Sequence, residues 1–156
     1  MSALEIPEIL AASQIFVGLG TAPLAAICAG AKERYFAKDR FMFKQGGAAL
    51  EFFLIRQGRV ALEVARPGLG PITLQTLGPG DVLGWSWLVS PYTWHFDARA
   101  LDEVATVALD APALRAVMDR DTALGYALAR RFLAVTTERL QAARIQLMDV
   151  YARAHV

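Results

Sequence analysis

Between Lys32 and Leu109 the chain is cut every few residues by a turn carrying Gly or Pro, and between the cuts apolar and polar residues alternate. A period of two places every second side chain on one face of an extended chain, so each run reads as a strand with one buried side. Glu33, Tyr35 and Ala37 oppose Arg34 and Phe36, and Lys38-Asp39-Arg40 turns the chain into Phe41-Met42-Phe43. Gln45-Gly46-Gly47 precedes Phe52–Arg56, Gln57-Gly58 turns into Arg59–Val64, and Pro67–Pro71 forms the tip of a hairpin returning through Ile72–Leu77. Phe96–Arg99 and Val104–Leu109 supply the last strands. Short strands at near-regular spacing predict a mainly β fold with flanking helices, an antiparallel barrel or a jelly roll.

Helical periodicity flanks the barrel. Ile6 to Val17 carries an apolar face (Ile6, Ile9, Leu10, Ser13, Phe16, Val17) stopped by Gly18-Leu19-Gly20. Thr21 then suits the N-cap of a short helix over Ala22–Ala29, with Leu24, Ile27 and Cys28 inward. Ile9–Ala31 carries no charge and is long enough for a membrane span, but Gly18, Gly20 and Pro23 interrupt it. Glu5 and Glu8 stand where a signal peptide needs Lys or Arg. The expectation is a cytoplasmic protein without membrane association. Cys28, the single cysteine, permits no internal disulfide and reads as a buried structural thiol.

Asp110-Ala111-Pro112 opens a helix on the opposite side, and Thr122 caps a longer one running to the C-terminus. There Tyr126, Leu133, Leu140, Leu147 and Ala154 recur every seven residues, interleaved with Ala129, Thr136, Ala143 and Val150. That is the seam of a two-stranded coil, and Tyr126, Leu133, Thr136, Leu140, Ala143, Leu147 and Val150 are the expected homodimer contacts. A second stripe (Leu128, Phe132, Val135, Ala142) is expected to face the barrel. Hydrophobic content of 55% supports an assembly that hides apolar surface. The 156 residues are expected to form one domain, with N-terminal helices over 1–30, a barrel over 32–109 and C-terminal helices over 110–156.

The densest chemistry lies in Leu77–Ala100. Gly78-Pro79-Gly80-Asp81 is a turn, and all three tryptophans (Trp85, Trp87, Trp94) fall within the following stretch. Two readings stand: an aromatic cage that stacks a planar or apolar ligand, or a plug that fills the barrel as core. If the stretch is extended, Trp85 and Trp87 point to opposite sides and only one shares a wall with Trp94. His95 is a lone imidazole with Asp97 on the same strand face, short of the clustered histidines a metal enzyme needs, and His155 sits at the C-terminus. No nucleophile elbow, paired-carboxylate spacing or phosphate-cradling glycine loop is present. A net charge of +1 gives no nucleic-acid footprint. Lys38-Asp39-Arg40 and Arg130-Arg131 read as solvated charges.

In this order the phrases resemble the cyclic-nucleotide-binding domain of the catabolite-activator (CRP/FNR) family. They are Phe16-Val17-Gly18-Leu19, Phe43-Lys44-Gln45-Gly46, Phe53-Leu54-Ile55-Arg56-Gln57-Gly58-Arg59-Val60 and Leu77-Gly78-Pro79-Gly80-Asp81-Val82-Leu83-Gly84. The resemblance implies a jelly roll, short N-terminal helices and a long C-terminal helix that pairs two subunits. It also implies departures. The glutamate that would follow Gly84 and hold the ribose is Trp85, and the Arg-Ser or Arg-Thr pair that would grip the cyclic phosphate is Trp94-His95. Arg99, five residues past Trp94, is expected on the opposite strand face, and could substitute only through a bulge or a one-residue slip. The sequence ends at Val156 without a helix-turn-helix, so direct DNA binding is not expected.

Three functions remain open on the sequence. One is a dimeric sensor that takes a small-molecule effector at Gly84, Trp85, Ser86, Trp87, Trp94, His95 and Arg99, and cyclic AMP held unusually by Arg99 and backbone amides is a variant of it. Another is a ligandless scaffold for a protein partner. The third is a small cupin-like enzyme. The expectation is a non-enzyme with no cofactor.

Overall fold

The computed structural model describes residues 5–154, so His155 lies outside the described residues. Eight strands form two four-stranded antiparallel sheets that close into the expected roll. They are β1 (Ala31–Phe36), β2 (Phe41–Phe43), β3 (Glu51–Gln57), β4 (Val60–Arg66), β5 (Leu69–Leu77), β6 (Val82–Leu83), β7 (Asp97–Ala100) and β8 (Val104–Asp110). One sheet runs β1-β8-β3-β6 and the other β2-β7-β4-β5. The β3–β4 turn depends on Gly58, whose φ is +89° and where a β-carbon would stand 2.3 Å from the Glu103 carbonyl oxygen. The β4–β5 hairpin turns more tightly than expected, with Pro67-Gly68 as its tip and Leu69–Pro71 already in β5.

β3 is covered on both faces, and its run Phe52–Ile55 is accordingly buried without alternation. With Val60, Leu62, Leu83, Val107 and Leu109 these side chains make one continuous core. Each fully buried large residue contributes roughly 1.5–3 kcal/mol relative to exposure. Four helices cover the roll: α1 (Ile6–Ala12), α2 (Thr21–Ala29), α3 (Ala111–Arg120) and α4 (Thr122–Ala154).

Three boundaries differ from the sequence expectation. α1 stops at Ala12, because Ser13 leaves the helix in an extended conformation and its Oγ accepts from the Ile15 N–H. Thr21 begins α2 rather than capping it; Gly20, with φ +90°, holds the N-cap position. The cap of α4 is Asp121, whose Oδ1 accepts from the Leu124 N–H at 3.1 Å, so Thr122 is the first helical residue. Asp110 caps α3 as expected, its Oδ1 accepting from the Ala113 N–H at 2.9 Å. Cys28 is half-buried, and burial raises its thiol pKa. Among the described residues no helix is long and apolar enough to cross a membrane.

The 33 residues of α4 reach about 50 Å at ~1.5 Å per residue. Its first turns bury Leu124, Leu128 and Phe132 against the roll, and Val135 and Ala142 continue that stripe half-buried. Farther along, Gln146 still donates to the Thr73 carbonyl of β5 at 2.7 Å, and the helix is exposed from Arg144 to Ala154.

Candidate functional site: one stretch with a filled end and an open end

The turn before β6 fixes the site. The Asp81 carboxylate accepts from the Gly78 N–H at 2.9 Å, and the Gly80 N–H donates to the Ile55 carbonyl at 2.8 Å, which docks the turn on β3. After β6 the chain swings through Gly84 at φ +106° into Trp85 and a single 3₁₀ turn, Ser86–Leu88. The extended conformation considered for this stretch is therefore replaced by a turn. Trp85 and Trp87 diverge, and neither shares a wall with Trp94.

Trp94 closes one end. Its ring stacks on Phe43 with centroids 3.7 Å apart and planes 9° from parallel, and only 5% of the residue is exposed. The indole also lies across Gly84: a β-carbon there would come within 2.8 Å of it. Paired hydrogen bonds hold the backbone, Gly46 N–H to the Trp94 carbonyl and Trp94 N–H to the Gly47 carbonyl, both 2.9 Å. Trp87 is fully buried, stacked on Phe52 at 4.4 Å and edge-on to Phe132 at 5.2 Å. Its Nε1–H finds no acceptor. These two tryptophans belong to the core.

Trp85 differs. It is half-buried, stacks on His95 at 5.0 Å and meets Phe96 edge-on at 6.1 Å. It borders a cavity of about 280 Å³ between the roll and α4, walled by Leu62, Leu74, Phe96, Leu140 and Ala143, with Gln75, Thr136 and Arg139 as the polar members. The exposed His95 bonds through Nδ1 to the buried Ser86 hydroxyl at 2.9 Å, which fixes the imidazole against the indole.

Two arginines, neither singled out by the sequence, tie this stretch to the helices. Arg115 of α3 donates to the Trp87 carbonyl and lies over the Tyr92 ring at 4.0 Å. Arg139 of α4 donates to the Val82 carbonyl, and burial pulls its guanidinium down to about 10, opposed by the Asp81 and Glu138 charges. Arg131, expected to be solvated, instead donates to the Ile15 and Val17 carbonyls at 2.7 Å each, joining α4 to the chain after α1.

Arg99 does not join the other candidates. β7 runs against β4 in unbroken register, so Ala98 and Ala100 face the core and Arg99 faces away from it. There its Nε and Nη2 donate to the two oxygens of Glu63, 2.9 Å each, and its Nη1 to Asp39 at 3.1 Å. Glu63 is 2% exposed and its charge is neutralised by this fork. Asp39 pairs with Arg99 but stays exposed, as expected of a solvated charge. The Asp97 carboxylate is taken by the Gln45 N–H at 2.8 Å.

Among the expected coil contacts, Tyr126, Leu133, Leu140, Leu147 and Val150 are exposed by 56–70%, and Thr136 and Ala143 are half-buried at the cavity.

A roll of two sheets, a turn-and-3₁₀ stretch and a long helix laid across its mouth define the class of cyclic-nucleotide-binding folds. The chain belongs to that family: residues 33–121 match the family model described as the cyclic nucleotide-binding domain. Among solved structures it is similar to a protein of Geobacter metallireducens GS-15 assigned by name to the cyclic nucleotide-binding proteins. The two share 28% identity at a TM-score of 0.79, over 88% of this chain and 99% of that one. The fold is shared with the Thermus thermophilus catabolite activator protein (24% identity, TM-score 0.68, 89% of this chain and 63% of that one). It is shared too with the sensor domain of the transcriptional regulator DNR of Pseudomonas aeruginosa (18%, TM-score 0.68, 86% and 92%). No curated protein matches the chain.

Proposed function

We propose that this is a dimeric, ligand-responsive regulatory domain that does not hold cyclic AMP in the manner of its family, and whose effector enters the cavity beside Trp85. The observation that carries the reading is the Trp94–Phe43 stack lying across Gly84, where the resemblance puts the phosphate grip. A cyclic phosphate brought there would meet indole instead of guanidinium, and an unpaired desolvated charge costs several kcal/mol. Arg99, the substitute considered on the sequence, is committed to Glu63 and Asp39. The role is binding rather than catalysis.

The dimer runs along α4. Its exposed row at seven-residue spacing supports a second copy of the chain as the occupant, since a two-stranded coil buries such a row symmetrically. Leu140 belongs to both the cavity wall and that row, which gives an effector a direct mechanical route to the subunit contact.

A thermal-shift titration tests the first part: cyclic AMP and cyclic GMP at millimolar concentration leave the melting temperature unchanged. A rise in proportion to the logarithm of nucleotide concentration overturns it. Light scattering on the eluting protein tests the second part, with twice the chain mass expected.

A further inference from the structure

The polar side of the cavity has one charged member. Arg139 carries five N–H donors on a planar fork, and its one protein acceptor among the described residues is the Val82 carbonyl. Every ion pair found among the described residues engages other cations: Lys32, Arg34, Arg56, Arg59 and Arg99. The charges of Asp81 and Glu138 act on Arg139 from outside contact distance. A desolvated guanidinium with idle donors at the edge of an otherwise apolar space is the arrangement an anion completes.

Resting on the reading of this cavity as the effector site, we propose that the effector is a small planar carboxylate, its ring against Trp85 and Phe96 and its carboxylate on the Arg139 fork. Three features select this class. The volume, about 280 Å³, stands just below the roughly 300–1,000 Å³ typical of small-molecule sites, so the body is compact. The walls are aromatic and aliphatic side chains, which favour a flat apolar body. Beside Arg139 the polar groups are Gln75 and Thr136, and the Thr136 hydroxyl already donates to the Phe132 carbonyl. A ribose with its hydroxyls and a phosphodiester would leave several groups unmatched there, whereas a single carboxylate presents two acceptors in the geometry an arginine fork meets.

Calorimetric titration of the full chain with 2-naphthoate and with its neutral isostere 2-naphthamide tests the proposal. The carboxylate is expected to bind at least about tenfold tighter to the native protein, and Arg139→Gln to abolish that preference while 2-naphthamide still binds. The comparison within the native protein needs no variant, so it holds if Arg139→Gln fails to fold. Equal affinity for the two compounds overturns the carboxylate assignment and leaves the cavity as an apolar site. A preference that survives in Arg139→Gln places the anion elsewhere and also overturns it. Saturable heat from neither compound overturns the assignment and the cavity's role together. Tighter binding of cyclic AMP than of 2-naphthoate, lost in Arg139→Gln, overturns the assignment in favour of a nucleotide.

Discussion

Trp94 and Trp85 stand nine positions apart in one stretch, and they end in opposite circumstances. Trp94 lies parallel to Phe43 and across Gly84, where a β-carbon would come within 2.8 Å of the ring, and it is 5% exposed. Trp85 remains half-exposed beside a cavity, braced by His95 and facing a helix that brings leucine, alanine and one arginine. The difference is made by the partners, not by the indole. At the first end two strands and Gly84 converge on the ring, and at the second the nearest neighbour is a helix, which leaves a gap. The roll is thus filled by an indole at the end where the family resemblance puts the phosphate grip and open at the end nearest the exposed row of α4.

The sharpest way to break this contrast is Trp94→Ala. Removing a large aromatic from a sealed position is expected to cost about 3–5 kcal/mol in urea unfolding. A loss below about 1 kcal/mol would mean the ring is a removable lid. Glu63→Ala follows, at about 2–3 kcal/mol, because it strands Arg99 without its buried carboxylate while Asp39 retains part of the pairing. Gly84→Ala is next, at about 2 kcal/mol or more, since φ +106° and the indole both oppose a β-carbon. Trp85→Ala is expected to cost about 1 kcal/mol or less, since the ring is not sealed in, while removing binding at the cavity.

Smallest of all is Asp102→Asn. The Asp102–Arg59 pair lies at the surface, with the carboxylate held below its ordinary pKa chiefly by the Arg59 hydrogen bond. A depressed folded-state pKa adds stability above the unfolded-state value, and that contribution fades as pH falls through the folded one. Asp102→Asn should therefore lower the neutral-pH midpoint slightly and leave it unmoved in acid, where the native carboxylate is protonated as well, so the variant's midpoint falls less steeply on acidification.

Much of this fold was legible in the sequence because turn residues and two-residue alternation are local signals. Asp110-Ala111-Pro112, Gln57-Gly58 and the seven-residue row in α4 fell where expected. The helix boundaries were decided by rival residues close by in sequence, and the site contacts by neighbours far from it. Asp121 displaced Thr122 as cap because its carboxylate reaches the Leu124 N–H, whereas a threonine one residue later already lies inside the helix. The 3₁₀ turn at Ser86–Leu88 has no Gly or Pro to announce it, and Arg115 reaching across from α3 fixes the Trp87 carbonyl. Arg131 and Arg139 sit on a helix dotted with charge, and nothing in their local pattern separates them from solvated neighbours. Their partners, the Ile15 and Val17 carbonyls after α1 and the Val82 carbonyl of β6, lie far away in sequence. Arg99 was placed on the correct strand face by its spacing from Trp94, but its partner Glu63 lies 36 residues away in another strand.

The central claim concerns the sealed end. Calorimetric titration of the native protein with cyclic AMP measures it most directly: the account predicts no saturable heat at millimolar nucleotide. A saturable isotherm with micromolar affinity, persisting in Arg139→Gln, would show that a cyclic phosphate finds a grip at Trp94 after all.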